Sequence, residues 1–401
     1  MTNTKPTIQP HPYSDPSGWC AAIADPQLTQ HGPPVRVPNP NGATSWLVTR
    51  YGDVRTVLSD RRFGRAPTAR LQPPQVCPAR LSRVTQLATF DPPEHGRLRG
   101  LVSEAFSVAR SAAWRTRVQR LLDNRLDRLV ADGISADLVR QVIDPLSLAL
   151  LAEAFGIPVA DRSRVVGWSR AHHSTAMPVG EFHDKMDALT SYFDALVARR
   201  RRRPADDVIS QALHLRDLRG QEITDDEIAA ICAGVFATGF FALTGQCQIS
   251  VHALLTHPDE LAELRANPEL LPGAVEELLR YAPLIKGPLR VRYVFEDLDV
   301  GGRMIHAGDL VAPSVSAAGF DPEVFSDPYR LDICRRPVPN LAFGFGTHYC
   351  LAAPLGRIVL TAIVSSLIER FPQLRLAVTD EALRWVFDWR LRRLERLPVS
   401  W

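Results

Sequence analysis

The feature that most constrains this fold is a long apolar stretch after residue 224. Residues 224–227 (TDDE) have the form of a capping box, with Thr224 as the N-cap and Glu227 at the third helical position. The apolar pattern then continues over residues 228–256, just before Pro258. A helix of about 30 residues is about 45 Å long, and one that is apolar on nearly all sides crosses a protein interior. The rest of the chain must therefore pack around it.

The flanking patterns predict a mainly α fold with a small β region. Helical spacing of apolar residues predicts helices over 53–59, 112–132, 142–155 and 355–370. Strands are expected at 45–49 and 385–389, with a hairpin around Gly301-Gly302. Residues 64–93 read as a long proline-containing loop and 1–44 as an extended lead-in. We interpret residues 1–401 as a single domain.

Composition excludes several function classes. With 47 basic and 44 acidic residues, the net charge is +3, so no nucleic-acid partner is expected. No apolar run reaches about 18 residues, so no membrane partner is expected. The run of five arginines at 199–203 is interpreted as the solvated end of a helix.

The six cysteines form no C-x-x-C pair, which disfavours a structural zinc site. Nothing at the N-terminus is typical of a secretory signal, so we expect free thiols and a cytoplasmic location.

One loop indicates chemistry. Residues 343–350 (FGFGTHYC) combine glycines, which let a backbone approach a flat ligand closely, with a terminal Cys350. A helix begins soon afterwards, and nearby backbone N–H groups favour a thiolate. Taken alone, however, such a loop more often carries a buried structural thiol than a reactive one.

Four further segments accompany that loop in a fixed order: residues 91–99 (DPPEHGRLR), 277–280 (ELLR), 320–325 (FDPEVF) and 327–330 (DPYR). With these motifs the chain resembles the cytochrome P450 superfamily, the haem-thiolate monooxygenases, over nearly its full length. The resemblance implies the cytochrome P450 fold, with the long central helix across the haem.

The resemblance also implies roles for individual residues. Cys350 is expected to bind the haem b iron as a thiolate. Phe343 and Gly344 belong to the same cofactor-binding loop. The haem propionates require cationic or hydrogen-bonding partners, and motif position assigns this role to His95, Arg99, Arg292 and His348. Glu277, Arg280 and Arg330 are expected to form a structural ion cluster.

The central helix departs from the family pattern. Most relatives carry an acid and an alcohol there, which relay protons to bound dioxygen. Alignment from His257-Pro258 places Phe241 at the acid position and Ala242 at the alcohol position, and neither can relay a proton. Thr244 and Gln246 lie nearby in sequence. A second departure is Asn340, where relatives often have histidine.

Three segments, 227–236, 274–280 and 395–401, are more similar to the cyclodipeptide (diketopiperazine) oxidases than to general bacterial hydroxylases. We therefore expect oxidative coupling, through a C–C or C–N bond, of an aromatic, tryptophan-containing cyclodipeptide in secondary-metabolite biosynthesis. The expected pocket residues are Phe240, Phe241, Ala242, Leu289, Val291 and Phe387, together with the loop at 71–87.

The resemblance implies that dioxygen is activated with NAD(P)H electrons. These would arrive through a ferredoxin and its reductase, with Arg357, Arg110, Arg115 and Arg117 contributing to docking. A monomer is expected. Two other functions remain open at this point: a conventional hydroxylase of a hydrophobic natural product, and a non-catalytic haem-binding sensor.

Overall fold

The computed structural model describes residues 32–38, 44–65, 86–174, 177–285, 291–336, 338–388 and 391–401. Its architecture is mainly helical. The helices are α1 (Tyr51–Ser59), α2 (Gln86–Thr89), α3 (Glu94–Ser103), α4 (Val108–Ala113), α5 (Arg115–Asp132), α6 (Asp144–Ala154), α7 (Arg162–Ser169), α8 (Val179–Arg202), α9 (Val208–Arg219), α10 (Asp225–Leu255), α11 (Pro258–Ala266), α12 (Leu271–Tyr281), α13 (Val315–Ala318) and α14 (Ala353–Arg370).

The β region consists of small sheets. The strands are β1 (Val35–Pro38), β2 (Thr44–Val48), β3 (Phe63–Gly64), β4 (Ser135–Asp137), β5 (Arg292–Val294), β6 (Leu298–Val300), β7 (Arg303–Ile305), β8 (Leu310–Pro313), β9 (Arg375–Leu376), β10 (Trp385–Asp388), β11 (Leu391–Leu394) and β12 (Pro398–Ser400). The largest sheet has the order β1-β2-β8-β5-β3, in which only β2 and β8 are parallel. The predicted fold class is confirmed.

The central helix α10 forms as its sequence predicts. The Thr224 hydroxyl accepts from the Glu227 backbone N–H, and the Glu227 carboxylate accepts from the Thr224 N–H, which completes the capping box. The expectation that no apolar run reaches about 18 residues is wrong: among the described helices, α10 alone is long and apolar enough, by length and composition, to cross a membrane, although 67% of its apolar 18-residue window is buried inside the protein. Because the protein already covers these side chains, α10 is the core of a globular fold.

Two hydrophobic cores divide the structure. The larger surrounds α10 and includes side chains from α3, α5, α6, α8, α9, α12 and α14. The smaller packs α1 against the largest sheet and includes Val54, Val294 and Val311. Strand β11 lies directly on α10: a Cβ atom on Gly245 would be 2.9 Å from the Arg392 carbonyl oxygen, so a larger residue there would push the strand away.

Several local expectations are confirmed with small shifts. Strands β2 and β10 lie where alternation predicts them, and α14 begins two residues before the predicted 355. The glycine pair at 301–302 makes the turn of a hairpin between β6 and β7. Residues 292–294 pair instead with β3 and β8, because their buried side chains join the larger sheet.

Two expectations require correction. The segment predicted as loop contains the short helix α2, while its residues 66–85 lie outside the described part of the chain. The arginine run is not uniformly solvated: the Arg200 side chain is only 12% exposed and pairs with Asp207, which is 2% exposed. Sequence spacing could not show this pair, because Asp207 comes from the loop beyond Pro204.

The ion cluster on α12 includes Arg335 rather than the Arg330 side chain. Glu277 accepts two bonds from Arg280, each 2.7 Å, and one from Arg335 at 3.1 Å. Arg280 also donates to the carbonyl oxygens of Gly319 and Pro328 at 2.7 Å. Arg330 contributes only its carbonyl oxygen. The cluster therefore ties α12 to the irregular segment that precedes the Cys350 loop.

A buried carboxyl at the start of α6 gives a testable pH dependence. Burial raises the pKa of Asp144 to about 6, although Gln248 of α10 donates a 2.8 Å bond to it and thereby lowers the pKa. Because the folded pKa is the higher one, ionisation between about pH 4 and 6 reduces stability. Asp144→Asn keeps the acceptor and cannot ionise.

We expect the urea midpoint of Asp144→Asn to rise relative to that of the wild type between pH 4.5 and 7. The full stability difference that corresponds to a pKa of about 6 for Asp144 in the folded protein is up to about 3 kcal/mol. Parallel pH profiles for the two proteins would contradict this.

Candidate functional site

The Cys350 loop has a backbone that requires glycine at two positions. Gly344 and Gly346 have φ values of 75° and 68°. A Cβ on Gly346 would also be 2.5 Å from the Leu58 carbonyl oxygen at the end of α1. The Cys350 N–H donates to the Phe343 carbonyl oxygen at 2.8 Å, closing the loop just before α14. The glycines thus permit a tight loop that presents one thiol.

The Cys350 thiol is in a mixed environment. Burial is the largest influence and leaves its pKa above the usual value, although the backbone N–H groups of Ala352 and Ala353 and the charges of Arg99 and Arg357 partly offset the rise. These donors and cations stabilise a thiolate, the form in which cysteine binds metals.

A second network fixes the loop to α12 through Glu276. Its carboxylate accepts from Arg357 Nε at 2.5 Å and from the Asn340 amide at 3.0 Å. Arg357 in turn donates to the Tyr349 hydroxyl at 3.1 Å and covers the Phe343 ring at 4.6 Å. The departure at Asn340 is thereby explained, because its side chain ties the loop entrance to α12. Glu276 therefore anchors the Cys350 loop to α12, and Glu277 anchors the irregular segment that precedes this loop.

The predicted propionate partners come from three elements. Arg292 lies on β5, His95 and Arg99 on α3, and His348 in the Cys350 loop. The His95 and His348 rings are 4.2 Å apart, and Arg99 donates to the Tyr349 carbonyl oxygen at 2.7 Å. The structure therefore brings His95, Arg99 and His348 together beside Cys350.

Two buried polar groups of this set have no hydrogen-bond partner among the described residues: both terminal nitrogens of Arg292 and Nε2 of His95. Arg292 is 2% exposed. Burial lowers its pKa to about 10, so the side chain remains charged at neutral pH. Burial, helped by Arg99, lowers the pKa of His95 to about 4. A buried cation without a counter-charge is costly, so these atoms fit an anionic ligand such as a haem propionate.

One face of helix α10 is not fully covered by the rest of the protein; we call the residues on this face the open row. Between residues 228 and 254 every residue is buried except Val235, Thr238, Gly239, Ala242, Leu243 and Gln246. Their spacing of three, one, three, one and three places them on one helical face. Ala242 is in this row. Phe240 and Phe241 are 6% and 4% exposed, packed in the core beside it, which differs from the open pocket walls expected.

The nearby polar residues of α10 are engaged elsewhere. The Thr244 hydroxyl is buried and donates to the Phe241 carbonyl oxygen at 3.2 Å. The Gln246 amide donates to Ser250 Oγ and to the Ala282 carbonyl oxygen. Neither side chain substitutes for the missing acid and alcohol.

Only some of the other predicted pocket residues belong to the part of the chain that the structure describes. Val291 is half-buried next to Arg292. Leu289 and residues 71–85 lie outside the described residues, and Leu87 is half-buried in α2. Phe387 pairs with Arg392 across β10 and β11, but its side chain lies outside the described set.

Sequence reasoning missed one polar pair at the row. His172, in the 3-10 segment Arg170–His173, has its Nε2 3.3 Å from Thr238 Oγ1. The adjacent His173 donates to the Ala237 carbonyl oxygen at 3.3 Å, and its ring is 5.0 Å from that of Phe241. The signal in the sequence that could have pointed to this site was the pair of adjacent histidines, His172 and His173.

Comparison with known proteins identifies the family. The family model for cytochrome P450 matches residues 168–380. The chain is 37% identical over 402 residues to mycinamicin IV hydroxylase/epoxidase of Micromonospora griseorubida, covering all of both chains. The chain belongs to the cytochrome P450 family.

Two other P450s are similar. A biflaviolin synthase of Streptomyces coelicolor is 36% identical, with 94% of this chain and 92% of the relative covered. A crystal structure of a cytochrome P450 with biaryl coupling reactivity superposes with a TM-score of 0.88 at 38% identity, covering 94% of this chain and 96% of the other.

Family membership fixes the general chemistry. This P450 is an enzyme that uses haem b and dioxygen, with NAD(P)H-derived electrons supplied by redox partners, and acts on a small molecule. The sensor alternative is therefore set aside. Bacterial P450s receive these electrons from a ferredoxin and its reductase.

The arginines expected to dock the ferredoxin are not equally available. Arg110 pairs with Asp206 at 2.9 Å and Arg117 with Glu153 at 3.2 Å. Both arginines also line a surface cleft of about 350 Å³ between α4, α5 and α9. Arg357 is itself paired with Glu276, and it is the member of the set that lies beside the Cys350 loop.

Proposed function

We propose that this P450 oxidatively couples an aromatic, tryptophan-containing cyclodipeptide in secondary-metabolite biosynthesis, as a cytoplasmic enzyme. The observation that carries the proposal is the open row of α10, where Ala242 stands at the alcohol position and Phe241, at the acid position, is packed into the core. The helix therefore presents a small apolar side chain where most relatives carry the alcohol of their acid-alcohol pair, which leaves room for an aromatic ring beside it.

The haem would be held by residues already in place. Cys350 would bind the iron, while Arg292, Arg99, His95 and His348 would hold the propionates, with Phe343 and Gly344 forming the loop around the thiolate. The unpartnered Arg292 and His95 nitrogens support this assignment. When bound, the haem supplies the site at which dioxygen is reduced.

The coupling reaction balances without inserting oxygen into product. Two substrates R–H, O₂, NAD(P)H and H⁺ give R–R, two H₂O and NAD(P)⁺. One bond forms between the substrates, and each loses one hydrogen. Four electrons reduce O₂, two from the substrates and two from NAD(P)H.

An aromatic substrate suits the open row. Four of its six residues, Val235, Gly239, Ala242 and Leu243, are apolar or small, so flat rings can approach the helix closely. The relatives named for biflaviolin synthesis and biaryl coupling support coupling chemistry on this scaffold. The cyclodipeptide class rests on the similarity of residues 227–236, 274–280 and 395–401.

Hydroxylation of a hydrophobic natural product is the second candidate, favoured by the similarity to mycinamicin IV hydroxylase/epoxidase. In that reaction R–H, O₂, NAD(P)H and H⁺ give R–OH, H₂O and NAD(P)⁺. The two reactions therefore differ in the fate of one oxygen atom.

Turnover under ¹⁸O₂ separates the candidates. The haem-loaded protein, a surrogate ferredoxin and reductase, and NAD(P)H are incubated with a panel of tryptophan-containing cyclodipeptides, chosen by their shift of the Soret band. We expect a dimer of mass 2M−2 without label. A labelled monomeric alcohol as the sole product would overturn the proposal in favour of hydroxylation.

Restoring the family pair should redirect the products. We expect Phe241→Glu with Ala242→Thr to raise the fraction of oxygenated product or of hydrogen peroxide, because an alcohol in the row and an acid packed beside it then support proton transfer. Mass spectrometry gives the product ratio and a peroxide assay the uncoupled fraction. Ala242→Thr alone, which buries no new charge, controls for damage to the core. Unchanged ratios in both variants would show that these positions do not control the reaction.

A further inference from the structure

The open row of α10 carries one hydroxyl. Of its six residues, only Thr238 and Gln246 have polar side chains, and the Gln246 amide donates two bonds away from the row. Thr238 is exposed on an otherwise buried helix. It lies four residues before Ala242, or about 6 Å along the same face at 1.5 Å per residue. The row thus presents a hydroxyl one turn from the position where relatives carry theirs.

A histidine holds this hydroxyl. Thr238 Oγ1 is 3.3 Å from His172 Nε2, and the neighbouring His173 is fixed by its bond to the Ala237 carbonyl oxygen. The His172 and His173 rings contact edge to face at 4.9 Å. His173 also packs on Phe241, the residue at the acid position. The histidine pair therefore braces this part of α10 from the segment Arg170–His173.

We propose that Thr238 is the distal hydrogen-bond donor of this P450 and that His172 is its positioning residue. A hydroxyl has one proton and two acceptor sites. When His172 donates its Nε2 proton to Thr238 Oγ1, the threonine proton is left to point along the row. A proton passed on from Thr238 is replaced by the Nε2 proton of His172, and His172 takes up a proton from solvent at its other ring nitrogen, Nδ1. The proposal holds for coupling and for hydroxylation, since both reactions consume protons at dioxygen.

The proposal accounts for the departure at 241 and 242. Phe241 stands at the position of the missing acid and packs against His173. The function of the missing alcohol passes to Thr238, one helical turn before Ala242. Because the two histidines are adjacent in sequence, one element supplies both the packing partner of Phe241 and the hydrogen-bond partner of Thr238.

The first test is spectroscopic. The C–O stretching band of the ferrous carbon monoxide complex is measured by infrared spectroscopy in the wild type and in Thr238→Val. A hydrogen bond to the bound CO lowers this frequency, so we expect the band to move to higher frequency in Thr238→Val. Thr244→Val is the matched control, since the Thr244 hydroxyl is bonded to the Phe241 carbonyl oxygen off the row. Identical bands in the wild type and in Thr238→Val would overturn the proposal.

The second test separates positioning from structure. We expect His172→Phe to shift the band as Thr238→Val does, and His172→Gln, which retains an N–H donor, to restore it in part. The rate of product formation should fall with the same ranking, by about 10²-fold in Thr238→Val, which is the low end for a lost proton donor. A Thr238→Val effect confined to the substrate Kd, with the CO band and product yield unchanged, would show a substrate contact instead and overturn the proposal.

Discussion

Replacing Cys350 by serine is expected to abolish the red-shifted carbon monoxide absorption band that the family resemblance predicts for this P450. A serine hydroxyl cannot supply the thiolate that the backbone N–H groups of Ala352 and Ala353 and the charges of Arg99 and Arg357 stabilise. The measurement is the difference spectrum of the reduced, haem-loaded protein with and without carbon monoxide. Product formation should disappear with the band.

The matched control is Cys334→Ser, because Cys334 is an exposed free thiol outside the 343–350 loop. We expect it to retain the red-shifted band at full amplitude. A wild-type band in Cys350→Ser would refute the assignment of the iron ligand. Haem content, measured separately, distinguishes a changed ligand from an empty protein.

The sequence predicts well where its signals are local. The capping box at Thr224, the glycine turns in the 343–350 loop and the Glu277–Arg280 pair all join residues within a few positions of one another. Their geometry follows from helix and turn rules, which do not depend on the rest of the fold.

Prediction fails where partners come from distant segments. Arg335 reaches Glu277 from 58 residues away, and Thr238 meets His172 across 66 residues. The packing of Phe240 and Phe241 likewise depends on what lies beside α10, which periodicity does not show. These contacts are fixed by tertiary packing, so only the folded chain shows which of two adjacent side chains is covered.

Glu277→Gln is expected to destabilise this P450 more than either Arg335→Gln or Arg330→Gln. Glu277 is 4% exposed and balances Arg280, with its side chain 1% exposed, and Arg335, with its side chain 9% exposed. Glutamine has nearly the same shape but no charge, so both guanidinium groups would remain buried without a counter-charge. Removing one partner of such a buried ion pair costs about 3–5 kcal/mol. The measurement is the free energy of unfolding from urea titration of the haem-loaded protein.

Two further variants test whether charge burial is the cause. Arg330→Gln alters an exposed arginine whose side chain is 3.9 Å from Glu260, so its cost should stay within about 0.5 kcal/mol. Arg335→Gln removes one of the two cations and leaves the bidentate Glu277–Arg280 pair intact. Its free energy of unfolding should therefore lie between those of Glu277→Gln and Arg330→Gln. If Glu277→Gln destabilises no more than Arg330→Gln, the cluster does not hold the segment before Cys350. If the decreases in the free energy of unfolding follow the predicted order, Arg335 belongs to the cluster, as the structure shows. The side chain of Arg330, which the sequence motif suggested, then does not.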